Sequence, residues 1–363
     1  MEDNEQNQNE QNQNEQNQNE QNQSEQNQSE QNPLDAYKAV CARLGLTMCV
    51  YYISRILSGL VSGIIGGFEG MSGTSPAIYA LHVAITVIFN YIIPILFAAM
   101  VFQSFKNYRG KFRILYKKPR RLARAFGSFP AIYGLGYGIA LITLLISLLV
   151  SRASGGQSIV QELFKPTTLE PSTDIINMLT MIVLMVVIAP VFEEFMIRGI
   201  VFDALKPFGC GMAIIISSIL FGLMHGSLYM LFYTTALGFA LAYIRYATDS
   251  LFVVTILHAI VNAVSAGVLF MSSLAEIAGG EDKLINTVLN IYVMAMLILI
   301  VVGVIAFIKR IPVIRKYKIE NAWTQIGPGT KTALFFLSVP VIIMLILAIN
   351  EHSNYWLISL LLG

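Results

Sequence analysis

Long apolar runs recur along this chain of 363 residues, and a run of that kind is first of all a candidate membrane-spanning helix. They lie at about 41–66, 77–103, 129–150, 175–205, 211–227, 229–245, 251–270, 284–308 and 332–350. Because lipid offers no partner to a backbone N–H or C=O, segments like these are stable only as helices that close their own hydrogen bonds. The expected fold class is therefore all-α. It is a polytopic membrane helix bundle of about eight to nine transmembrane helices. The run 355–362 is too short to span, and Trp356 suits an interface. Charged residues make up 13% of the chain, about half of what a soluble domain carries.

Residues 1–32 hold eight acids and no base, in a pentapeptide EQNQN that drifts to EQNQS. With no apolar residue after Met1, this stretch can bury no core and reads as a disordered N-terminal tail. The other 14 acids face all 24 bases, and the bases cluster in loops. The stretch 106–124 has nine bases and no acid, and 309–331 has six bases against Glu320. Both should face the cytoplasm, which also puts the N-terminus there and makes the chain a multi-pass protein of the cell membrane. This placement of charge explains the bases without a nucleic-acid partner. Three cysteines with no CxxC spacing exclude a disulfide framework and a thiolate metal site.

The chain divides into a tail (1–33), N-terminal helices with a basic cytoplasmic loop (34–170), a core rich in polar motifs (171–272) and C-terminal helices (273–363). In that core, ionisable groups sit where they are expensive, which makes each a functional candidate. Glu193 and Glu194 follow 18 uncharged residues. Arg198, four residues after Glu194, shares its helical face and would pair with it. Glu193 projects about 100° away and is left free. Pro190 removes a backbone donor just upstream and should kink the helix. Phe221 and His225 form Phe-x-x-x-His at the end of an apolar run. His258 and Asn262, spaced i, i+4, share one face of another. Taken singly, each also fits a plain structural role: an interfacial ion pair, an interfacial histidine, or polar side chains bonding to a neighbouring helix. Taken together, they supply a base, an orienting group and hydrogen-bond donors, which is what hydrolysis of an amide by water requires. Arg55, in the first apolar run, has no evident partner.

Glu193-Glu194-x-x-x-Arg198, then Phe221-x-x-x-His225, then His258-x-x-x-Asn262 resembles the CAAX-protease and bacteriocin-processing (Abi, CPBP) family. The type II CAAX prenyl endopeptidases are its eukaryotic relatives. The resemblance covers about 175–270, with Gly199 and the stretch from Leu237 to Leu251 adding to it. It implies an intramembrane endopeptidase acting on a peptide or membrane-protein substrate. Glu193 would be the general base on a water that His225 positions. His258 and Asn262 would donate to the oxyanion. Glu194, Arg198 and Phe221 would be supporting residues. No cofactor is required by this reading. The family has also been described as metal-dependent, and a divalent metal such as zinc would then fall to Glu193, His225 and His258, although no HExxH occurs. A competing expectation is a catalytically inactive scaffold, or an immunity- or transport-related protein, that keeps the fold and tolerates loss of the Glu193 carboxylate.

Overall fold

A computed structural model describes residues 33–72, 76–103, 122–153, 174–316 and 327–352. The tail up to residue 32, nearly all of the basic stretch 106–124 and the run 355–362 lie outside them. The described residues are helical throughout, apart from short turns. They form α1 (Pro33–Ser72), α2 (76–103), α3 (Leu122–Phe126), α4 (Phe129–Ala153) and α5 (175–205), which ends in a 3₁₀ turn at Lys206–Phe208. Next come α6 (Cys210–Leu223), α7 (Leu228–Thr248), α8 (Leu251–Ile277), α9 (Lys283–Lys316), α10 (Pro328–Phe336) and α11 (Val339–His352).

Each of the apolar segments expected from the sequence is helical over most of its length. Among the described residues six helices are long and apolar enough to cross a membrane, and the bent pair α10–α11, broken by 70°, makes a seventh if it is one span. The chain is thus a polytopic helical membrane protein. Of the nine apolar segments, 211–227 and 229–245, which form α6 and α7, are not among these spans, and for α6 the cause is its length. With 14 residues, α6 is only about 21 Å long at 1.5 Å per residue, short of a hydrocarbon core of about 30 Å.

α6 is apolar all round and buried on nearly every face, with Ile215 its exposed exception. A helix of that kind belongs inside a bundle. α7 packs antiparallel along it, and Leu237 and Leu241 join Ile216, Leu220 and Phe221 in the core with Val253, Val254, Leu257 and Val261 of α8. The outer helices carry their bulk outward: Leu145 and Leu149 on α4, Leu284 and Ile298 on α9, and Ile176 on α5 are exposed. Lipid-facing helices are expected to look this way. α4 and α9 touch backbone to backbone, since a Cβ on Gly134 would stand 2.2 Å from the Gly303 carbonyl carbon. Such small-residue contacts let membrane helices approach closely.

Around Pro190, where the sequence predicts a kink, the helix departs from α geometry in two π turns. α5 runs as α-helix to Val183, widens at Leu184–Ile188, returns to α over Ala189–Glu194 and widens again at Phe195–Val201. Such π turns are frequent at functional sites. In the first one the Ala189 N–H reaches back to the Leu184 carbonyl, five residues away. The Met185 carbonyl would then need the N–H of residue 190, which is proline and has none.

Candidate active site

The two adjacent glutamates of α5 face different surroundings. Glu194 is fully buried, whereas the Glu193 side chain is 15% exposed. Glu194 Oε1 lies 3.1 Å from Nη1 of Arg198, also fully buried, the i, i+4 pair expected from the sequence. The same oxygen accepts a 2.9 Å hydrogen bond from Nδ1 of His258. Arg198 is held further by a 3.0 Å bond from Nη2 to the Gly238 carbonyl, and its guanidinium lies 4.3 Å over the Phe221 ring.

His258 comes from α8, where Ser250 accepts from the Val253 N–H and starts the helix. With Nδ1–H given to Glu194, its Nε2 points to Glu193 Oε2 at 4.0 Å. That gap is too long for a direct hydrogen bond, and one water can bridge two groups so spaced. One turn further along α8, Asn262 donates from Nδ2 to the Met185 carbonyl at 2.9 Å. This is the carbonyl that the π turn and Pro190 leave without a backbone donor. The bond fixes the carboxamide and uses one of its two N–H groups.

His225 sits just beyond α6. Its Nδ1–H donates to the Phe221 carbonyl at 2.7 Å, so in the neutral ring Nε2 carries the lone pair. The Phe221 ring makes edge contacts with both imidazoles, at 4.9 Å to His225 and 5.5 Å to His258. Phe221, Arg198, Glu194 and His258 thus form one packed unit. Glu193 adjoins it through His258, and His225 through Phe221.

What holds the end of α6 in place comes from outside the motifs. A helix leaves its last carbonyls without partners, and at membrane depth water is scarce. Tyr52 of α1 donates to the Leu223 carbonyl at 2.8 Å, and Tyr51 to that of Met224 at 2.9 Å. Arg55 bonds Tyr51 Oη at 2.9 Å and pairs with Glu351 of α11 at 2.6 Å. Gly226 follows at φ 63°, a conformation that suits glycine, and a Cβ there would stand 2.9 Å from Glu351 Oε1. Arg55 therefore has its acid, nearly the whole chain away. No sequence signal links the two beyond each being a charge in an apolar run. Replacing Glu351 by alanine strips the counter-charge from Arg55, whose side chain is 29% exposed. The expected loss is about 1–3 kcal/mol, between the values for exposed and fully buried pairs. Thermal unfolding in detergent measures it, and an unchanged midpoint would mean that the pair does not anchor α11.

Among the described residues no group of three or more His, Cys, Asp or Glu could hold a metal ion. Glu193, His225 and His258 are not arranged as a zinc site. His258 Nε2 and Glu193 Oε2 stand 4.0 Å apart, whereas two ligands on one tetrahedral zinc come to roughly 3.4 Å. A second buried ion cluster, absent from the motif reading, lies elsewhere in the bundle. Arg245 Nη2 meets both oxygens of Asp203, at 3.1 and 3.0 Å, and Nη1 meets Asp249 at 3.2 Å. It ties the end of α5 to the end of α7.

Residues 175–264 match the family model described as Type II CAAX prenyl endopeptidase Rce1-like. Over this quarter of the chain the sequence is similar to that family. The match bears out the resemblance drawn from the three motifs, and the segment contains Glu193, Glu194, Arg198, Phe221, His225, His258 and Asn262. Tyr51, Tyr52, Arg55 and Glu351, which hold the end of α6, lie outside the Rce1-like segment. Endopeptidases hydrolyse peptide bonds, so the Rce1-like segment points to a membrane protease. No curated protein and no solved structure matches the chain.

Proposed function

We propose that the chain is an intramembrane endopeptidase that hydrolyses a peptide bond of a peptide or membrane-associated substrate with a water activated by Glu193. The observation that carries this reading is the contrast between the two glutamates. Glu194 is spent on Arg198 and His258, while Glu193 is partly open and faces His258 Nε2 across 4.0 Å. A water between them donates one hydrogen to the Glu193 carboxylate and the other to a neutral imidazole, Nε2 of His258 or of His225, which orients it. As the water oxygen attacks the carbonyl carbon, its proton passes to Glu193. The second N–H of Asn262 donates to the oxyanion, and His258 does the same when Nε2 is protonated. When the tetrahedral intermediate collapses, Glu193 returns the proton to the leaving amine. No step runs through a metal. On the charges of 106–124 and 309–331, we place the N-terminus in the cytoplasm.

The test is hydrolysis of a broad panel of quenched peptides and membrane substrates by purified protein in detergent, with and without a strong chelator. Asn262→Ala is expected to lower turnover by about 100-fold, the usual effect of losing one oxyanion donor. An Asn262→Ala enzyme that melts like the wild type and turns over at the same rate would remove Asn262 from the reaction. Wild-type activity abolished by chelator would count against the metal-free route.

A further inference from the structure

A groove opens where the start of α4, the end of α7 and the end of α9 come together. Its walls are apolar: Ile132, Phe239, Ala240, Ile244, Ala247 and Phe307 line it. At its rim stand Arg124 and Arg310, and no acidic residue is among the lining side chains. Arg310 is locked there, donating from Nη2 to the Gly127 carbonyl at 2.8 Å and from Nη1 to the Ala306 carbonyl at 3.1 Å. Both acceptors are neutral, no acid among the described residues pairs with it, and donors remain among its five N–H groups. The exposed Arg124 lies three residues before Gly127, in the same turn.

Two guanidinium groups that pair with no acid among the described residues, set over an apolar slot, fit a molecule with an anionic head and a hydrocarbon tail. We propose that the groove is a binding site for an anionic phospholipid. The phosphate lies against Arg124 and Arg310, and one acyl chain runs down the wall of Ile132, Phe239, Ile244 and Phe307. Guanidinium geometry suits phosphate oxygens. The flanking sequence points the same way, since 106–121 and 309–318 are rich in bases and such segments seek the anionic leaflet. The site is independent of the peptidase reading.

Delipidated full-length protein in detergent is titrated with short-chain phosphatidylglycerol, phosphatidylcholine of the same chains, and free glycerol phosphate. Binding is read by native mass spectrometry and by the shift in melting temperature. Phosphatidylglycerol is expected to bind at least tenfold more tightly than the other two. Arg124→Gln should weaken it about fivefold, and Arg124→Gln with Arg310→Gln further, at roughly fivefold per charge. Ala247→Phe, which fills the slot, should weaken both lipids, and Lys283→Gln, exposed on the first turn of α9, should change nothing. If the double variant fails to fold, Arg124→Gln and Ala247→Phe still decide the matter. Equal affinity for the two lipids, glycerol phosphate binding as tightly as phosphatidylglycerol, or wild-type affinity in both single variants would each overturn the proposal.

Discussion

Glu194→Ala is expected to destabilise the protein by about 3–5 kcal/mol, the cost of breaking a buried ion pair from one side. The loss is large because one oxygen serves two partners. Without the carboxylate, the fully buried Arg198 keeps the Gly238 carbonyl and the face of Phe221, neither of which carries a compensating charge, and only the more distant Glu193 carboxylate still acts on it. His258 loses the acceptor that fixes its ring. Glu194→Gln keeps an acceptor of the same shape and should cost less. Glu194→Met combined with Arg198→Met removes both charges together, and such replacements are often close to neutral. Unfolding in detergent should therefore rank the single alanine variant well below the double methionine variant. Equal losses in the two would mean that packing volume, not the uncompensated charge, sets the stability here.

The helices and the motif residues were legible in the sequence because lipid imposes a simple code. A long apolar run has few options, and a charge inside one is costly enough to stand out. The Glu194–Arg198 pair follows from i, i+4 spacing alone, and so does the separate environment of Glu193. The depth that each helix reaches was not legible. The segment 211–227 reads as a span, yet α6 stops at Leu223, and its last carbonyls pass to Tyr51 and Tyr52 of α1. Pro190 announced a kink, but not that the π turn beside it would leave the Met185 carbonyl to Asn262. Arg55 stood out as a charge without a partner. Glu351 completes it only through the packing of α11 on α1, which no local pattern encodes. The same holds for Asp203 and Arg245, which are 42 positions apart. Local spacing writes contacts along one helix into the sequence. Contacts between helices depend on bundle geometry, which one sequence does not record.

Glu193→Gln should leave the fold standing and remove most of the turnover, by about 100- to 10,000-fold if this carboxylate is the general base. Both halves of the expectation come from the same geometry. Glu193 is the more open of the two glutamates, and its nearest ionisable partner, His258 Nε2, is 4.0 Å away. Neutralising it therefore breaks no tight pair, and glutamine keeps its size and one acceptor oxygen. What glutamine lacks is the capacity to take a proton from water, which is the step assigned to this residue. The neighbouring Glu194→Gln serves as contrast, since it should act chiefly through stability and the orientation of His258. Paired measurements of melting temperature and of kcat on one substrate separate the two positions. A Glu193→Gln protein that melts like the wild type and hydrolyses at the wild-type rate would move the base to another residue, or the observed activity to a contaminating protease. A Glu193→Gln protein that instead unfolds would make this carboxylate a structural charge, despite its exposure and its distance from His258.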